Sequence, residues 1–162
     1  RGVATSTSAA NASLRRHLSA VVDHVAALLP TTKAAILQQV DIVRATLETL
    51  LALVSASGDG DGGATSSGAS GGGISDRNRL HAQSLEYFTV EKLVHSTRSL
   101  TALLQLLEVK DYYIRYRVLQ LLVVLYANQS ERLLKSVVHD CPMGIARIMS
   151  LLRDGRDLIR NH

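Results

Sequence analysis

Large apolar residues along the first third of the chain recur at helical rather than alternating spacing. Leu14, Leu18, Val21, Val22, Val25 and Leu28 fall on one stripe, which predicts a helix over about 12–29 that Pro30 brings to an end. The small polar residues of 1–11 are expected to form a disordered lead-in. Next, Ile36, Val40, Val43, Leu47, Leu50 and Val54 recur with 4,3,4,3,4 spacing. The pattern predicts one helix reaching Val54, with Thr31-Thr32 offering its N-cap. Leu37 and Leu51 widen the stripe beyond a zipper seam, so the expected setting is a multi-helix core. Residues 12–54 are therefore read as helical repeat structure.

The pattern vanishes over 55–76, a Gly/Ser/Asp segment with almost no large side chain. Such a stretch cannot bury enough to offset its ordering entropy and is expected to be a disordered linker. Two chemical readings of it fail on spacing. A calcium loop starting at Asp59 would place Ser70 at the twelfth position, where a glutamate belongs. A phosphate loop needs Lys-Ser/Thr after its last glycine, and Ile74-Ser75 stands there instead.

Helical periodicity resumes over 77–162, with segments expected at 77–97, 99–107, 112–126, 131–138 and 143–152, joined by short connections. A shift of 45 positions superimposes part of this region on itself. Leu100 falls on Ile145, Leu103 on Ile148, Leu104 on Met149, Leu106-Leu107 on Leu151-Leu152, and Ile114-Arg115 on Ile159-Arg160. That period lies in the armadillo/HEAT range, where helix pairs or triplets stack into a solenoid. The expected fold is all-α, an armadillo-like α-solenoid. Arg115 and Arg160 are expected to pair with the nearby carboxylates Asp111 and Asp157. The first residue is Arg1, and the second repeat stops early at His162; both favour a piece of a longer chain.

Composition narrows the function. Eighteen basic against fourteen acidic residues give +4, but the excess is spread evenly outside the linker and no Lys/Arg run exceeds two. A nucleic-acid partner is therefore not expected. The longest strongly apolar stretch, 118–127, is too short to span a bilayer. The single cysteine, Cys141, excludes an internal disulfide. The six histidines, at 17, 24, 81, 95, 139 and 162, show no metal-binding spacing. His139 and Cys141 are adjacent in sequence only, so a small thiol ahead of a helix is the plainer reading. No catalytic, metal-binding or cofactor-binding residue is assigned.

The densest cluster of unusual residues is "CPMGIARIMSLLRDGRDLIRN", 141–161. Pro142 suits the first turn of a helix. Gly144 sits where a side chain would obstruct close packing. Ile145, Ile148, Met149 and Leu152 are expected to be buried, while Arg147, Arg153 and Arg156 are expected outside, available to a partner.

This stretch resembles the signature segment in the head domain of the general vesicular transport factors, the vesicle-tethering golgins. Pro142, Met143, Gly144, Arg147, Met149, Leu151, Leu152, Asp154, Ile159, Arg160 and Asn161 match it. Upstream, "LLQLLEVKDYYIRYRVLQLL" is similar to the preceding armadillo-like repeat of the same heads. The Gly/Ser insert departs from the acidic run of many relatives. The resemblance implies a non-enzymatic protein scaffold acting between endoplasmic reticulum and Golgi, cytosolic and peripheral on Golgi and vesicle membranes. It further implies Rab-family GTPases, SNAREs and other Golgi tethers as partners, and a homodimeric coiled coil elsewhere in the protein. An armadillo-type GTPase-binding regulatory domain of a cytoskeletal scaffold is the alternative. A helical-repeat RNA binder ranks below it, because the 45-residue alignment preserves apolar rather than base-reading positions.

Overall fold

The computed structural model describes residues 3–30, 32–55, 72–141 and 143–153, with the side chains of 3–11, 33, 72–82 and 84 left aside. The elements are α1 (Val3–Ala27), α2 (Lys33–Gln38), α3 (Val40–Val54), α4 (Gly72–His95), α5 (Thr97–Leu106), α6 (Tyr112–Lys135), a π-helical turn (Ser136–Asp140), α7 (Gly144–Ser150) and a closing 3-10 turn (Leu151–Arg153). Among the described residues there is no strand, and the helices stack as an armadillo-like solenoid.

Side-chain oxygens start three of these helices by accepting a backbone amide. Thr32 Oγ1 takes the Ala35 N–H at 3.3 Å, Ser96 Oγ that of Ser99 at 3.2 Å, and Asp111 Oδ1 that of Ile114 at 3.0 Å. Each satisfies a donor that the first helical turn leaves without an intrahelical partner.

Several boundaries differ from those expected. α1 begins at Val3 instead of Ala12; no Pro or Gly lies in 3–11, so nothing there stops a helix. α4 begins at Gly72, so the helix takes in residues 72–76 that composition assigned to the linker; the rest of that linker, 56–71, lies outside the described residues. The single helix expected up to Val54 is two, separated at Gln39, whose φ −123°, ψ 33° leaves the helical region. The two helices expected over 112–138 are both present: α6 is divided at Gln129, whose φ −144°, ψ 58° leaves the helical region.

The core runs between the two halves of the chain. α3 packs against α6 and α4. Val43, Leu47, Leu50 and Val54 of α3, and Ile114, Val118, Leu121 and Leu125 of α6, have no exposed surface. Each leucine so buried contributes about 1.5–3 kcal/mol relative to exposure. Leu37, placed by periodicity in the same stripe as Ile36, is 62% exposed. Ile36 is 1% exposed, so the seam keeps its burial across the break at Gln39, while the widening residue Leu37 stays outside. α5 is the most enclosed helix, with Leu100, Leu103, Leu104, Leu106 and the following Leu107 fully buried.

Candidate interaction site

The described part of the signature stretch, Cys141 and 143–153, joins the stack through α7. α7 packs against α5 and the π-helical turn. Its entry depends on two adjacent residues with opposite requirements. Met143 caps α7 with φ 60°, in the left-handed region, and its side chain is exposed. Gly144 is buried, and a Cβ built on it would stand 2.7 Å from the Val137 carbonyl oxygen and 3.2 Å from Leu104 Cδ1. The expectation that Gly144 permits close packing therefore has a direct geometric basis.

Met143 has no such need for its side chain. A non-glycine residue pays about 1–2 kcal/mol in the left-handed region, against roughly 0.4–1 kcal/mol of extra unfolded-state freedom that glycine introduces. Met143→Gly is therefore expected to raise folding stability by about 0.5–1 kcal/mol in urea denaturation.

Other expectations for this stretch need correction. Ile145, Ile148, Met149 and Leu152, expected in the core, are 50%, 37%, 55% and 59% exposed. Gly144, Ile148 and Leu151 share one side of α7 at i, i+4, i+7 spacing, and Ile145, Met149 and Leu152 lie on the adjoining flank, which stays exposed. Arg147 does not face outward as expected. Its Nε donates to Glu108 Oε1 at 2.6 Å and its side chain is only 15% exposed, tying α7 to the end of α5. Arg153 is exposed as expected. Pro142, Asp154, Arg156, Asp157, Ile159, Arg160 and Asn161 lie outside the described residues.

Cys141 is 4% exposed and its sulfur accepts a hydrogen bond from Thr101 Oγ1 at 3.7 Å. This is a packed thiol held by a neighbouring helix. Among the described residues, no group of three or more His, Cys, Asp or Glu is placed to hold a metal ion.

A polar cluster that sequence reading missed joins α3 to the start of α6. Arg44 meets Asp111 at 2.6 Å, and Arg117 meets Glu48 at 3.5 Å. The Tyr113 hydroxyl donates to Glu48. The Arg44 and Arg117 guanidiniums lie 5.6 and 5.0 Å from the Tyr113 ring centre, within cation–π range. The sequence signal was the four-residue spacing of Arg44/Glu48 and Tyr113/Arg117, which puts each pair on one helix face. Nothing in it said that the two faces meet. Asp111 thus serves Arg44 and the α6 N-cap, while Arg115 Nε donates to the Val109 carbonyl at 2.6 Å.

Burial alone would push the Asp111 carboxyl up. The Ile114 amide, the Arg44 guanidinium and the Tyr113 amide outweigh it and hold the group below the usual carboxylate range. A carboxylate depressed in the folded state stabilises it above the unfolded pKa of about 4, and that contribution fades as pH falls through the folded value. Asp111→Asn keeps a competent cap but loses the charge. The stability gap between native chain and variant is expected to be full at pH 7 and to close below about pH 4. Asp111→Ala also loses the cap, at about 1 kcal/mol more.

Two open grooves border these features. One of about 380 Å³ runs between α3 and α6, lined by Glu48, Leu51, Ser55, Arg117 and Gln120. The other, about 630 Å³, lies at the α6 kink beside Gln129, Arg132, Lys135 and Asp140. Both are open and mixed in charge; the first is mainly apolar, with Ala52 and Val124 beside Leu51 in its lining, and the second mainly polar.

Comparison with known proteins agrees with the sequence resemblance. No protein-family model matches the chain. It is 42% identical over 69 residues to golgin candidate 6 of Arabidopsis thaliana, covering 43% of this chain and 7% of that protein. It is 28% identical over 88 residues to general vesicular transport factor p115 of Bos taurus and of Homo sapiens, covering 54% of this chain and 9% of each. The chain therefore spans less than a tenth of the length of these relatives. The crystal structure of Uso1-2 superimposes with a TM-score of 0.56 at 23% identity, covering 92% of this chain and 24% of that one. The superposition shows the solenoid fold, and the sequence matches are to a golgin candidate and to general vesicular transport factors.

Proposed function

We propose, from this homology to general vesicular transport factors, that the chain is part of the α-solenoid head of a vesicle tether in ER-to-Golgi and intra-Golgi transport. The observation that carries the reading is the 88-residue similarity to p115, which reaches over half of this chain. The role is non-enzymatic: stacked helices offer a long face on which partners dock. Its partners are proteins of the transport machinery, Rab-family GTPases, SNAREs and other Golgi tethers. The full-length protein is a homodimer through a coiled coil outside this chain, peripheral on Golgi and vesicle membranes. Among the described residues no helix is long and apolar enough to cross a membrane.

Within this reading, 12–54 and 77–162 are the repeat-bearing segments and 55–76 the linker between them, the last five residues of which are taken into α4. The matched positions 142–144, 147, 149, 151–152, 154 and 159–161 act structurally, setting the junction between successive repeats. Immobilised chain is expected to retain Golgi Rab GTPases or vesicle SNAREs from purified mixtures. Absence of retention, by this chain and by the longer head containing it, would count against the tether reading.

A further inference from the structure

The last residue of α4 is held by the part of α6 that follows its break at Gln129. Arg132 Nη2 lies 2.9 Å from His95 Nδ1, across 37 residues of sequence, and both side chains are exposed. A guanidinium has donors only and keeps its charge at every pH a protein meets. The bond therefore fixes the state of its partner. His95 Nδ1 carries the lone pair, and the ring is the neutral tautomer with its proton on Nε2. A second proton goes onto Nδ1, the atom that makes the bond. That proton removes the acceptor and sets two cations face to face.

The surroundings offer the charged ring another place. His95 ends α4, and the C-terminal turn of a helix favours a cation. Glu91, half-buried and four residues earlier, shares a helix face with His95. Lys92, the other charge of that turn, is engaged by Asp23 of α1 at 3.2 Å. On α3, Arg44 and Glu48 are engaged with the start of α6, and on α5 the exposed Arg98 is a further like charge. Neutral His95 thus reaches across to α6, whereas charged His95 is drawn back along α4. The histidine ring makes this change between about pH 5 and 8. On the α6 side, Leu133 and Val137 anchor the chain in the core, and Arg132 ties its exposed side to α4. Arg132 and Lys135 also border the groove of about 630 Å³ at the kink. We infer that His95 and Arg132 form a proton-sensitive latch, closed at neutral pH and open in mild acid, that sets how firmly residues 130–140 are held against the end of α4. The latch lies wholly within this chain and is independent of the tether assignment, which its failure would leave untouched.

The test is amide hydrogen exchange of the whole chain over 130–140 at pH 7.5 and 5.5, with each rate divided by its intrinsic rate. Ordinary carboxylates stay charged across this interval, so histidines dominate the change. The native chain is expected to lose at least threefold of its protection in that segment at the lower pH. His95→Asn supplies an amide oxygen that accepts from Arg132 and takes up no proton, so its protection is expected to be equal at the two pH values. Arg132→Ala is expected to show the lower protection at both. His139→Asn, which removes the histidine inside the measured segment, is expected to keep the native response. An unchanged native chain, an equal fall in His95→Asn, or a fall that His139→Asn abolishes overturns the inference. Nitrogen-15 chemical shifts of the native chain give a check without any variant. At pH 7.5 the unprotonated ring nitrogen of His95 is expected to be Nδ1, and a proton found there overturns the latch as well.

Discussion

Leu47→Ala is expected to remove about 2–5 kcal/mol of folding stability, the range for truncating a buried leucine to alanine. Leu47 has no exposed surface and lies in the layer where α3 packs on α6 and α4. Its side chain is enclosed by elements from both sides of the insert, so collapse around a cavity would require two halves of the chain to move together. A domain of this size has roughly 5–15 kcal/mol in total, so a substantial share disappears. Leu37→Ala is the matched control. The residue lies in the same periodic stripe by sequence but is 62% exposed, and its truncation is expected to stay within about 0.5 kcal/mol. Urea denaturation of the two variants, read by helical circular dichroism, checks the contrast. Similar losses from both would mean that α2 and α3 continue as one helix past Gln39.

Gly144→Ala sets two physical effects against each other. Helix propensity alone favours alanine by about 1 kcal/mol. Packing opposes it, because the new Cβ would meet the Val137 carbonyl at 2.7 Å and Val137 Cγ1 at 3.1 Å. The first of these is backbone and cannot rotate away. Overpacking of this kind costs about 1–3 kcal/mol, so packing is expected to win and the variant to be less stable. The loss should concentrate in α7, detected as faster amide exchange over Gly144–Ser150 than over α5. A more stable variant would mean that α7 does not sit against the π-helical turn as described.

What the sequence made legible follows from which interactions are local. Helical class, the Thr32 cap, the buried seam from Val43 to Val54 and the packing role of Gly144 were all readable from periodicity and residue type. The burial of α5 was readable too, because Leu100, Leu103, Leu104 and Leu107 repeat at helical spacing. The same periodicity misplaced Ile145, Ile148, Met149 and Leu152, since an apolar stripe shows that a face seeks cover and not that cover is present among its neighbours. It likewise assigned α1 a single stripe, where the structure divides it into a covered face and an open one. The Arg44–Asp111 and Arg147–Glu108 pairs span 67 and 39 residues, and no local spacing announces contacts of that reach. Short-range logic instead gave Asp111 to Arg115 and sent Arg147 outward. The family signature, by contrast, was legible as a string of residue types before any of its contacts were known.

All of these interpretations rest on the helices before and after the Gly/Ser insert forming one stacked body. The direct test is to replace residues 60–66 with a specific protease site, cut the folded chain there, and measure the product by size-exclusion chromatography with light scattering. The account predicts that both pieces elute together at the mass of the intact 17.5 kDa chain and keep its helical signal. Separation into two independent pieces under native conditions would contradict it.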